Sequence, residues 1–79
     1  MRISVQYYAI LREQRGLSDE ELEVSAQTVS ELYAALKNKH GFSLDAGSLR
    51  VAVNDEFVKW EQVLNNNDQV TFIPPIAGG

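Results

Sequence analysis

The sequence predicts a small two-layer α+β domain, and three observations carry that prediction. Apolar and polar residues alternate near both ends of the chain, at Ile3, Val5 and Tyr7 and again at Val70 and Phe72. Period two marks strands with one buried face. Only one long stretch follows helical spacing, with Val29, Leu32, Tyr33 and Leu36 at i, i+3, i+4 and i+7. Finally, 79 residues make one domain with a modest core, too small for a large internal active site. A single amphipathic helix needs an apolar surface to cover, and one twisted sheet supplies it.

The first strand alternates Ile3, Val5 and Tyr7 with Ser4, Gln6 and Tyr8. Ala9 to Gln14 reads as a short helical turn or strand end before Gly16. Glu21-Leu22-Glu23-Val24 alternates again as a second strand. Thr28-Val29-Ser30-Glu31 fits a capping box, in which hydroxyl and carboxylate satisfy orphan N–H groups. The helix then runs from Val29 to His40, with Lys37, Lys39 and His40 at its negative end and Gly41 as C′ residue. Phe42 to Ser48 reads as a loop. Leu49, Val51 and Val53 alternate with Arg50 and Ala52 as a third strand, Asn54-Asp55-Glu56 turns the chain, and Phe57-Val58 forms a short fourth strand. Asn65-Asn66-Asn67-Asp68 is a dense turn signal before a last strand from Gln69 to Ile73. Pro74-Pro75 ends that strand, because proline cannot donate to a sheet ladder. The expected organisation is a domain over residues 1–73 and an extended tail over 74–79. Strand, strand, helix and three further strands is the order of the β-grasp (ubiquitin-like) fold, a mixed sheet packed on one main helix. There the last strand lies beside the first, and the tail leaves as a free arm.

Composition narrows the function. There are no cysteines, so disulfides, thiol chemistry and Cys metal sites are excluded. A net charge of −4 argues against nucleic acid and anionic membrane surfaces and is compatible with a partner presenting a basic surface. No apolar run approaches the roughly 20 residues that span a bilayer. Met1-Arg2-Ile3-Ser4-Val5 enters strand-like alternation rather than an apolar leader, so a cytoplasmic location is expected. His40, the only histidine, reads as a helix-end residue, and no metal site is expected. Trp60 reads as packing or a sheet rim, and Glu20, Glu21 and Glu23 as a solvated face.

The sequence ends Pro74-Pro75-Ile76-Ala77-Gly78-Gly79. Glycine backbone passes where other residues clash, so an enzyme can draw such a tail into a narrow channel and work on its last carbon. From the tail alone two readings stay open, a functional terminal carboxylate and a frayed end.

Several stretches together resemble one family. Tyr7-Tyr8-Ala9-Ile10-Leu11-Arg12-Glu13 is similar to an aromatic-aromatic-Ala-x-x-Arg-Glu opening, with Tyr-Tyr where Phe-Phe is common. Thr28-Val29 with Leu32 and Leu36 fits its helix, and Val51-Ala52-Val53-Asn54 its third strand. Asp68-x-Val70-x-Phe72-x-Pro74-Pro75-x-x-Gly78-Gly79 resembles its ending. On these motifs the chain resembles the small subunit of molybdopterin synthase, a ubiquitin-like sulfur carrier of molybdenum cofactor biosynthesis.

The resemblance implies a mechanism. A partner of the ubiquitin-activating type adenylates the Gly79 carboxylate with ATP, and a sulfur donor converts it to a thiocarboxylate. The tail then enters the large synthase subunit, in an expected heterotetramer of two small and two large subunits, and gives its sulfur to cyclic pyranopterin monophosphate. The carrier itself binds no cofactor and supplies no acid or base. From Pro74 onward six extended residues reach about 20 Å, with the proline pair stiffening the base and Gly78 keeping the tip slim. Tyr8 and Ile73, on the strand faces opposite Tyr7 and Phe72, are expected on the open side of the sheet with Phe57 nearby, as a partner-binding patch. Arg12 is expected either to pair with an acid on a partner or to form a solvated or intramolecular ion pair. Competing readings are a carrier for thiamine or another sulfur pathway, a ubiquitin-like protein modifier, and a plain binding module.

Overall fold

The computed structural model describes residues 1–75. Its elements are β1 (Arg2–Tyr7), α1 (Ala9–Arg15), β2 (Asp19–Glu23), α2 (Val29–His40), a 3-10 turn (Ala46–Ser48), β3 (Arg50–Val53), β4 (Glu56–Val58) and β5 (Gln69–Ile73). The strands form one sheet in the order β2-β1-β5-β3-β4. β1 runs parallel to β5, and the other three pairings are antiparallel. This is a β-grasp domain.

Strand parity separates the two faces. Ile3, Val5, Tyr7, Val51, Val53, Val70 and Phe72 are buried, and they join Val29, Leu32, Tyr33 and Leu36 of α2 in one core. The capping box forms as the sequence predicts. Glu31 N–H donates to Thr28 Oγ1, and Thr28 N–H donates to Glu31 Oε1, both at 3.2 Å. Gly41 closes the helix in the left-handed conformation at φ 69°. Tyr33 is the aromatic centre of the core, with its ring 5.0 Å from Phe72, 5.8 Å from Trp60 and 6.0 Å from Phe42. Its hydroxyl donates to the Leu44 carbonyl at 2.6 Å, which ties down the loop after α2. Trp60 is thus a packing residue, stacked on Phe72.

Three details depart from the sequence reading. The segment after β1 is a true helix, α1, whose buried Leu11 seals the end of the core. It begins with Ala9 at φ 51°, a left-handed conformation that costs a non-glycine residue roughly 1–2 kcal/mol. β2 begins at Asp19, two residues before the expected Glu21, because Glu20 is drawn inward by contacts from other elements. The β3–β4 connection is a two-residue turn, with Asn54 at φ 51° and Asp55 at φ 70°, the type I′ geometry that matches strand twist. β4 accordingly starts at Glu56.

Asp68 is the one buried polar residue among those described, at 7% exposure. Its carboxylate accepts from Asn54 Nδ2 at 2.9 Å and from the Asn65 N–H at 2.7 Å, and its carbonyl accepts from the Ser4 N–H at 3.0 Å. Asn54 Oδ1 in turn accepts from the Gln69 N–H at 3.0 Å. The start of β5 is therefore clamped to both neighbouring strands. Asp68→Ala is expected to cost about 2 kcal/mol, since two donors lose a charged acceptor. Urea unfolding measures it, and a loss below about 0.5 kcal/mol, the range of an ordinary surface substitution, would remove the clamp from the account.

Candidate functional site

The face of the sheet turned away from α2 is open. Registered neighbours cross it in a row, Asp19, Gln6, Thr71, Ala52 and Phe57, one from each strand. The Thr71 hydroxyl donates to Gln6 Oε1 at 3.2 Å within that row. Beside it, Tyr8, Phe57 and Ile73 line one shallow depression with Gln6, Ala52, Asp55 and Thr71. The three residues expected as a patch are thus brought together. Phe57 is 66% and Tyr8 48% exposed, while Ala52 at the floor is only 8% exposed. A small side chain there makes the depression, and the exposed rings form its walls.

β5 delivers the tail to the edge of this depression. Pro74, half-buried, and Pro75, exposed, follow Ile73 directly. They border a second groove with Gly47, Ser48, Arg50 and Phe57. Ile76, Ala77, Gly78 and Gly79 lie outside the described residues. The tail root therefore emerges from the middle of the sheet, between exposed aromatic and aliphatic side chains.

Arg12 lies on the exposed side of α1, and no ion pair to it forms among the described residues. Its neighbour Arg15 is the paired cation. Arg15 Nε donates to Glu20 Oε2 at 2.7 Å and Nη2 to Oε1 at 2.8 Å, a bidentate contact. The Tyr7 hydroxyl donates to the same carboxylate at 2.7 Å. Glu20 is not solvated, with its side chain only 11% exposed. Its hydrogen bond from Arg15 holds its carboxyl below the ordinary range, against the opposing effect of burial. The Tyr7 phenol is pushed well above its ordinary value, first by burial and then by its bond to Glu20. His40 is pushed down by burial and by the nearby Arg15 charge. Its ring lies 5.7 Å from Phe42, so it ends α2 as a packing residue. This cluster braces the end of β1 against β2, one residue before Tyr8.

Arg50 and Thr71 border the open face without having been singled out by sequence. Parity was the available signal, since Arg50 alternates with buried Val51 and so shares a face with Ala52. Among the described residues no group of three or more His, Asp or Glu could hold a metal, and no helix is long and apolar enough to cross a membrane.

A five-stranded mixed sheet on one main helix, with the last strand central, defines a ubiquitin-like β-grasp protein. A profile of the ThiS family matches residues 5–79, and the chain belongs to that family. It is 32% identical over 80 residues to the molybdopterin synthase sulfur carrier subunit of Haemophilus influenzae, covering 98% of this chain and 99% of the relative. It is 34% identical to the protein of that name from Escherichia coli, with the same coverage. Among solved structures it is similar to a putative molybdopterin converting factor subunit 1 from Pyrococcus furiosus, at 27% identity and TM-score 0.79, covering 96% of this chain and 99% of that one. It is also similar to a chain in the complex of subunits 1 and 2 of the molybdopterin-converting factor from Helicobacter pylori, at 25% identity, TM-score 0.70 and full coverage of both.

The Glu20 cluster sets a pH dependence. A carboxyl with a lowered folded value stabilises above its unfolded value and loses that contribution as pH falls through the folded one. Arg15→Met is expected to melt below the wild type near neutral pH, and the gap should narrow as pH falls below the ordinary glutamate value of about 4.3 and through the lowered folded one. Thermal melts across that range check this, and a gap independent of pH would contradict it.

Proposed function

We propose that this chain is the sulfur carrier subunit of a molybdopterin synthase, and that Gly79 carries the sulfur as a C-terminal thiocarboxylate. Full-length likeness to two proteins named for that role carries the reading. The geometry is consistent with it: the tail leaves the central strand beside an exposed apolar depression.

A free carboxylate is a poor electrophile. An adenylating partner of the ubiquitin-activating type joins it to the AMP part of ATP, releasing pyrophosphate and making a mixed anhydride. Sulfide-level sulfur from a donor attacks the acyl carbon, displaces AMP and leaves the thiocarboxylate, an anionic sulfur nucleophile. The arm then enters the large subunit, which holds the pterin precursor and supplies the acid and base groups. Each carrier delivers one sulfur, so two are needed for a dithiolene, in an assembly of two small and two large subunits. The carrier provides reach and aim. Pro74 and Pro75 limit the freedom of the arm at its root and lower its ordering cost on entry. Tyr8, Phe57 and Ile73 form the docking patch, and Arg12, exposed on α1, is available to an acid on a partner.

Incubation with ATP, sulfide and the cognate activating enzyme is expected to raise the intact mass by the difference between one sulfur and one oxygen. High-mass conjugates would indicate a protein modifier instead, and no change with a competent enzyme would refute the carrier reading. Supplying the product to the large subunit with cyclic pyranopterin monophosphate separates this pathway from thiamine synthesis. An extension beyond Gly79 should abolish sulfur transfer without lowering stability. Tyr8→Glu or Ile73→Glu should weaken co-purification with the large subunit by about tenfold or more while the domain stays folded, and unchanged binding would remove the patch.

A further inference from the structure

Arg50 opens β3 at the register position opposite Ile73, where the arm leaves the sheet. Its guanidinium carbon lies 5.2 Å from the centroid of the Phe57 ring. Both residues line the groove that Pro74 and Pro75 border. A guanidinium stacked on a ring keeps its donors in its own plane, pointing outward and ready for a planar acceptor. Arg15 is committed to Glu20, which registers with buried Val5 on the core side of the sheet, and Arg2 at the β2 margin lies against Glu21 and Glu23, while exposed Arg12 on α1 lines neither the depression nor the groove. Arg50 forms no ion pair and makes no side-chain hydrogen bond among the described residues.

The face is also polar in its charge. Asp19, Glu21 and Glu23 on β2 pair in register with Gln6, Ser4 and Arg2, which places their carboxylates along one margin of the open side. Arg50, on the far side of β5, is the cation beside the apolar depression, whose lining carries one further carboxylate, Asp55 at the β3–β4 turn. An apolar patch alone holds a partner without fixing its rotation. Opposite charges at two margins set that rotation, because a wrong register brings like charges together. The margin beside the arm matters most, since a small rotation there swings the tip furthest.

We propose that Arg50, held by Phe57, is the specificity-determining anchor of the docking face and grips a carboxylate side chain of the large partner subunit. The proposal rests on the reading of this chain as the small subunit of a two-subunit synthase. A bidentate contact at this place fixes the direction in which the arm enters, and lysine cannot reproduce it.

The test is the dissociation constant of the full-length chain for the large subunit, with the melting temperature measured alongside. Arg50→Met is expected to weaken binding by about tenfold or more at an unchanged melting temperature. Arg50→Glu should weaken it further, and Arg50→Lys should restore only part. Binding by Arg50→Met within about twofold of the wild type, where charge-assisted contacts normally give far more, overturns the proposal. So does a loss that comes with a lowered melting temperature, which assigns Arg50 to folding. The chain's own terminal carboxylate is the competing anion. Removing Gly78 and Gly79 from both the wild type and Arg50→Met should leave the same fold loss between them, and a loss that vanishes in the shortened pair gives Arg50 to the tail instead. Wild-type chain that fails to bind the large subunit sinks the subunit reading itself. Wild-type binding with an unaffected Arg50→Met sinks only the anchor.

Discussion

Parallel hydrogen bonding between the first strand and the last puts β5 in the middle of the sheet, with β1 on one side and β3 on the other. Val70 and Phe72 then lie under α2, beside Val5, Tyr7, Val51 and Val53. Each such side chain, fully buried, stabilises the fold by roughly 1.5–3 kcal/mol. The root of the arm cannot shift without unpacking them. The core thus fixes the point from which Pro74 and Pro75 leave the sheet.

The two faces of β5 divide the labour. Alternate residues Val70 and Phe72 belong to the core, while Thr71 and Ile73 belong to the open face. The same parity holds across β1, where Tyr7 reaches inward to Glu20 and Tyr8 outward to the depression. Ala9 in its left-handed conformation turns the chain immediately afterwards, so α1 leaves Tyr8 uncovered. The core and the exposed depression are thus built from alternate residues of the same strands, and a substitution on one face leaves the other in register.

Legibility in the sequence followed the range of the interactions. α2 was readable to the residue because its signals are local: the Thr28–Glu31 box at one end and Gly41 at the other. β1 and β5 were readable from parity, and so was the assembly of Tyr8, Phe57 and Ile73 on one side. The start of β2 was not, because it is set by Arg15 and Tyr7 reaching Glu20 from separate elements. Glu20 looked solvated among acidic neighbours for the same reason. The stacking of Arg50 on Phe57 needed the β3–β4 register, which one sequence does not print. The motif residues Asn54 and Asp68 were visible, but the hydrogen bond that joins them across 14 positions was not.

The clamp around Asp68 bears on how the protein is made. It joins β5 to Ser4 and Asn54, residues synthesised long before it. Until Gln69 to Ile73 have left the ribosome, β1 and β3 have no strand between them, and the surface meant for α2 stays incomplete. Such long-range closure is slow and comes late. A nascent or truncated chain that lacks β5 therefore offers neither a closed sheet nor a rooted start to the segment that follows Ile73. In this topology the sheet closes only when its last strand is in place.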